Sequence, residues 1–229
     1  MTILLTNDDG IDAPGLAALA RAAAALGGRL VTVAPAECHS GCGHRVTTKD
    51  ALEVTMLGTD RYRVGGTPAD CVRVALARLL PDVDLVLSGI NRGGNLGVDV
   101  HHSGTVAAAR EAALHGRRAV AASQVLLPDG WVDWERSAEW LVGVFDRLLG
   151  EPPGPGGVWN VNLPALPADS PPPAIVACPV DPSPFTLGYR ETADGWRWES
   201  SYHARPRQPA GDVAVCLGGA ISVSRLGLV

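Results

Sequence analysis

The sequence predicts an α/β protein with a doubly wound, mostly parallel, Rossmann-like sheet and a smaller C-terminal extension. Three observations predict it. Residues 3–5 form a short, continuously apolar run, as a strand buried on both faces of a parallel sheet does, and mainly apolar runs at 29–35, 83–88 and 118–123 read as further strands. Stretches of strong helix formers with start and stop signals separate these runs. The polar, chemistry-bearing residues follow the runs directly, where parallel sheets bind their ligands.

The first run ends in Thr6-Asn7-Asp8-Asp9-Gly10. Neighbouring residues on a strand face opposite ways, so Asp8 and Asp9 can share a ligand only if the chain leaves the strand there, which Gly10 allows. Two carboxylates about 4 Å apart repel by about 4 kcal/mol at an effective dielectric near 20. A divalent cation such as Mg²⁺ or Mn²⁺ would offset that repulsion and prefers oxygen ligands. The plainer reading is a turn followed by a helix cap.

Asp12 is placed to cap a helix opened by Pro14 and closed by the Gly27-Gly28 pair. Residues 29–35 give the second strand, and the opening is therefore a right-handed βαβ unit. The polar loop behind it carries Ser40, and residues 52–64 read as a hairpin around Gly58-Thr59-Asp60. Thr67, Pro68 and Asp70 signal a helix running to about residue 80. The strand at 83–88 empties into a glycine-rich stretch with Asn91 and Asn95, then into Ser103-Gly104-Thr105 at the start of an apolar helical period. A helix N-terminus with two hydroxyls attracts an anion, although Ser103 or Thr105 can equally serve as a simple cap. Residues 118–123 make a further strand and 133–150 a helix capped by Asp133, followed by the Pro/Gly run 151–157. Residues 158–164 and 174–180 read as strands, 181–211 are turn-rich and unassigned, and a short helix and a last strand close the chain. This divides the chain into an α/β metal- and phosphate-binding core, 1–150, and a C-terminal part, 151–229, that completes the sheet and contributes to oligomer contacts.

Composition narrows the function. With 229 residues, 46% hydrophobic and 19% charged, the chain is that of a folded globular protein. A net charge of -5 leaves no broad basic surface for a nucleic-acid polymer. Lys49 is the only lysine, which excludes a Walker-type phosphate loop, and no complete GxGxxG follows the first strand, which argues against a dinucleotide oxidoreductase. No apolar run is long enough for a membrane span and no leader pattern precedes the first strand, so no membrane partner and a cytoplasmic location are expected. The five cysteines are odd in number and mostly isolated, as in a reducing compartment.

The segments ILLTNDDGIDAPGL, VAPAECHSGCGH, GTPADCVRVAL, DLVLSGINRGGNLGVDVHHSGTVAAAREA and, more weakly, WNVNLP and GGAISVSRL together resemble the SurE (survival protein E) family of metal-dependent, acid phosphatase-like 5'-nucleotidases. The resemblance implies one divalent metal per subunit, Mg²⁺ or Mn²⁺, held by Asp8, Asp9, Ser40 and Asn91, with Asp8 and Asp9 catalytic. It implies phosphate contacts from Asn95, Ser103, Gly104 and Thr105. The implied reaction is hydrolysis of nucleoside 5'-monophosphates to nucleoside and phosphate, with 3'-nucleotides and short polyphosphate as further substrates. Whether an aspartate attacks phosphorus or orients a water stays open. His39, His44, His101 and His102 are candidates to protonate the leaving oxygen, and Arg92 to touch phosphate, beside the plainer reading of ordinary loop residues. The family also implies a homodimer or homotetramer, while the last strand reads SVSRL where members tend to read SITPL. Two rival readings remain: a non-catalytic nucleotide sensor on the same scaffold, and a zinc site at Cys38, His39, Cys42 and His44.

Overall fold

The computed structural model describes residues 1–151, 153–185, 187–199 and 202–227. The first strand, β1 (Thr2–Thr6), buries Ile3 and Leu5 against one layer of helices and Leu4 against the other. That two-sided burial is the reason for its continuous apolar run. Helix α1 (Pro14–Ala24) follows, then β2 (Arg29–Pro35), and a hairpin of β3 (Val54–Gly58) and β4 (Arg61–Val64). Helix α1 is not capped by Asp12 as expected; Ala13 stands at the cap without a side-chain bond. Asp12 instead accepts from Arg61 at 2.7 Å, a partner about fifty positions away that local reading cannot see.

Helix α2 (Pro68–Val74) has Thr67 as N-cap in a reciprocal capping box with Asp70. Its α-helical part ends earlier than expected and widens into a π-type turn, Ala75–Leu79, closed by the Leu80 amide on the Ala75 carbonyl at 2.7 Å. Next come β5 (Leu85–Arg92), which runs past Ser88 into the glycine-rich stretch, and a 3₁₀ turn, Gly97–His101. Helix α3 (Gly104–Leu114), β6 (Arg118–Gln124), α4 (Trp134–Leu148) and β7 (Val158–Leu163) complete the regular alternation. The turn-rich segment holds, after β8 (Ile175–Ala177), a separate two-stranded hairpin of β9 (Tyr189–Thr192) and β10 (Gly195–Trp198). Helix α5 (Asp212–Leu217) and β11 (Ile221–Leu226) follow.

One nine-stranded sheet runs in the order β3-β4-β2-β1-β5-β6-β7-β11-β8. Six neighbouring strands, from β4 to β7, are parallel; β3 pairs antiparallel with β4 and β11 antiparallel with β7, while β8 pairs parallel with β11. This is the expected doubly wound, mostly parallel α/β fold, and strands from beyond residue 150 belong to the same sheet. Helices α1 and α4 cover one face, where Leu16, Leu19, Leu141 and Phe145 close the core. Helices α2 and α3 cover the other with Val72, Val106 and Ala109. Fully burying Phe145 contributes roughly 1.5–3 kcal/mol. Among the described residues no helix is long and apolar enough to cross a membrane, and all five cysteines are free thiols.

Strand order reverses between β1 and β5, because the chain winds from β1 to β2 on one side and returns to β5 on the other. The carboxyl ends of β1 and β5 therefore flank the crevice in which doubly wound sheets bind ligands.

Candidate active site

Asp8 and Asp9 leave β1 at that crevice. Gly10 turns the chain with φ of +104°, and its carbonyl accepts the Asn7 side-chain amide at 2.8 Å, which locks the turn. Asp8 is 3% exposed. The Thr105 hydroxyl at the start of α3 donates to Asp8 Oδ1. Gly104 lies against the same carboxylate so closely that a Cβ there would sit 2.8 Å from the Asp8 Cβ. The Asp8 carboxyl is pushed up to about 6 by burial, against the Thr105 hydrogen bond that lowers it and with the Asp9 charge that raises it further. Asp9 is half-buried and accepts the Arg92 amide at 3.0 Å, which joins the end of β1 to the end of β5.

A cavity of about 800 Å³ opens above Asp8, and Ser40, Asn91, Asn95 and Ser103 line it too, whereas Asp9 and Gly104 are not part of its lining. That volume lies within the roughly 300–1,000 Å³ of small-molecule sites. The loop behind β2 brings Ser40 in through two backbone bonds: the His39 amide donates to the Asp8 carbonyl at 2.7 Å, and the Gly43 amide to the His102 carbonyl at 3.0 Å. Asn91 donates its amide nitrogen to the Gly93 carbonyl at 2.8 Å, which leaves Oδ1 as its oxygen donor. Asn95 is buried, and its side chain donates to Ser123 Oγ at 2.7 Å. Ser103 caps α3 by accepting the Val106 amide at 3.0 Å and also faces the cavity.

Not every expected residue faces the cavity. Thr105 is fully buried behind Asp8, and its hydroxyl reaches the carboxylate rather than the open space. Of the four histidines, His102 lines the cavity. His44 instead sits 2.7 Å from Glu111 on α3. The residues weighed as a zinc site have separate partners: Cys38 meets Ser40, Cys42 donates to the Gly43 carbonyl, and His44 meets Glu111. No cluster of three His, Cys, Asp or Glu side chains suited to a metal occurs among the described residues.

Two parts of the site were absent from the sequence reading. Asn160 and Asn162, both fully buried on β7, hold the Asn95 backbone: their amides donate to its carbonyl at 2.9 and 3.2 Å, and Asn162 Oδ1 accepts its N–H at 2.7 Å. Two asparagines at i and i+2 in an otherwise apolar strand were the available signal. The other part is an aromatic wall, with Phe185, Tyr189, Trp198 and Tyr202 on the far side of the cavity.

A family model described as Survival protein SurE matches residues 3–179. A Nostoc protein with a provisional 5'-nucleotidase name is 46% identical over 226 residues, 99% of both chains. The protein named 5'-nucleotidase SurE in Rhizorhabdus wittichii is 47% identical over 72% of this chain and 67% of its own. The crystal structure of the SurE protein from Aquifex aeolicus superposes with a TM-score of 0.85 at 34% identity, covering 100% of this chain and 94% of that one. Sequence and fold agree across the sheet and the crevice, and the chain belongs to the SurE family.

Proposed function

We propose that this chain is a divalent-metal-dependent phosphomonoesterase that hydrolyses nucleoside 5'-monophosphates to nucleoside and phosphate. The reading is carried by the placement of Asp8: a buried carboxylate between the end of β1 and the N-terminus of α3, on the wall of a cavity large enough for a nucleotide. The 5'-nucleotidase names of the relatives support the same activity.

The donor set suits Mg²⁺ or Mn²⁺. Asp8, Asp9, Ser40 and Asn91 offer oxygen alone, with two negative charges. Beneath them Thr6 Oγ1, Asn7 Oδ1 and Ser88 Oγ are buried without hydrogen-bond partners among the described residues, as expected of a crevice built for further polar company. These four residues would hold the cation, which when bound polarises phosphoryl oxygens and neutralises charge in the transition state.

The remaining work belongs to the chain. Thr105 fixes the Asp8 carboxylate in one orientation. The N-terminal turn of α3 and the glycine-rich stretch from Gly93 to Asn95 present backbone dipoles to the phosphate. His102, on the same cavity, would give a proton to the leaving oxygen, while the Arg92 guanidinium is held on the Gly130 carbonyl at 2.7 Å and serves the site through its backbone amide on Asp9. The homodimer or homotetramer implied by the family remains part of this proposal.

The test is phosphate release from a panel of nucleoside 5'- and 3'-monophosphates by chelator-stripped protein, with and without added Mg²⁺ or Mn²⁺. Metal-dependent release with 5'-nucleotides preferred is expected. Nucleotide binding without release under any metal would overturn the reading in favour of a sensor.

A further inference from the structure

The cavity has an apolar half that chemistry at phosphorus does not require. Phe185, Leu187, Tyr189, Trp198 and Tyr202 line it, and all five come from the segment between β8 and α5 rather than from the main sheet. Asp99, in the 3₁₀ turn that leads into α3, lines the cavity too but is already engaged. Its Oδ2 accepts from Arg205 Nη1 at 2.7 Å, from the Tyr202 hydroxyl at 3.1 Å and from the Leu96 amide at 3.1 Å. Burial, with the Asp99 carboxylate beside it, pushes the Tyr202 phenol above its ordinary value, so the phenol keeps the proton that it donates.

Arg205 is 5% exposed, and its guanidinium touches both ends of the wall. The guanidinium carbon lies 4.5 Å from the Phe185 ring centroid and 5.3 Å from that of Tyr202. A planar cation held by a carboxylate fixes both rings at once, which a lysine ammonium would not do. The same turn is tied to the C-terminal segment again at Gly97, whose amide donates to the buried Asp212 carboxylate at 3.0 Å. The wall and the phosphate end are therefore one connected piece of structure.

We propose that the Asp99–Arg205 pair is a positioning device for nucleoside recognition, holding Phe185 and Tyr202 as a stacking wall by which the site selects a nucleotide over a base-free sugar phosphate. The inference rests on the hydrolase reading above and adds to it how the base is read. Every base offers a π face, so stacking tolerates base identity. All four bases are accepted, with purines favoured because they present more area.

The experiment compares adenosine 5'-monophosphate with ribose 5-phosphate in wild type, Arg205→Met and Phe185→Leu, and titrates adenosine into each by calorimetry. The expected result is a KM for the nucleotide raised about tenfold or more in both variants, with kcat and the ribose 5-phosphate parameters within about twofold of wild type. Adenosine affinity should fall by the same factor as KM rises. Parallel losses on both phosphates, or an unchanged nucleotide KM, would overturn the proposal. Arg205→Met leaves Asp99 without its cation, so circular dichroism checks its fold; Phe185→Leu removes a ring without exposing a charge and carries the test if Arg205→Met is unfolded. Absence of phosphate release by wild type would instead overturn the hydrolase reading. The adenosine titrations need no turnover and judge the wall separately: equal affinity in all three proteins overturns it.

Discussion

The Thr105 hydroxyl donates to Asp8 Oδ1 across 97 positions of sequence, tying the N-terminus of α3 to the first carboxylate behind β1. Thr105→Val keeps the shape and removes the donor. Partners of this kind behind a metal ligand typically contribute 10–100-fold in affinity or activity, and a loss of about that size is expected in metal affinity. Mn²⁺ titration calorimetry on the variant measures it, with an unchanged urea midpoint excluding general destabilisation.

Gly104→Ala tests the closeness of that contact. The added Cβ would lie 2.8 Å from the Asp8 Cβ and 3.1 Å from Cys42 Sγ, so the carboxylate or the helix must move. A displacement on the 1 Å scale at a reacting centre costs about 10²-fold in rate, and phosphate-release assays on Gly104→Ala should show a drop of that order.

Asn162 serves the site through the backbone of Asn95, whose N–H and C=O it satisfies together. Asn162→Leu fills the same space but strands the buried Asn95 N–H, while Asn160 still donates to the carbonyl at 2.9 Å. A stranded buried group costs about 1–3 kcal/mol, and urea unfolding should register a loss in that range.

Asp70 anchors the far end of the Ser40 loop. Its Oδ1 accepts the Thr47 amide at 2.8 Å, and its Oδ2 accepts the Thr47 hydroxyl at 2.8 Å and the Thr67 amide at 3.0 Å. Burial opposes ionisation, but these hydrogen bonds outweigh it and hold the carboxyl below the usual carboxylate range. The folded value lies below the unfolded one of about 4, so the stabilisation is fully present above pH 4 and is lost as pH falls through the folded value. Asp70→Asn should therefore cost about 1–3 kcal/mol at pH 7 and distinctly less near pH 3, read from urea midpoints at both pH values. A gap that does not change with pH would contradict this assignment.

What could be read in the sequence was local. The apolar runs before Asp8 and Asn91 announce strands buried on both faces, and Thr67-Pro68 announces a helix start, because each signal is contained in a few neighbouring residues. The roles of Thr105, Asn162 and Arg205 depend on partners 97, 67 and 106 positions away, and no window of sequence contains them. Asp12 carries a good capping signal that Arg61 overrides through a tertiary ion pair. The β9–β10 hairpin escaped because its strands pair only with each other and stay largely exposed, so the short Trp196-Arg197-Trp198 alternation sits in a segment without the buried runs that mark the main sheet.

The most direct test of the central claim is phosphate release from adenosine 5'-monophosphate as Mn²⁺ is titrated into wild type, Asp8→Asn and Asp9→Asn. The account predicts release that rises with metal and saturates in wild type, and that falls by about 10²-fold or more in both variants while their circular dichroism stays unchanged. Release by the chelator-treated wild type at the same rate, or full activity in Asp8→Asn, would contradict it.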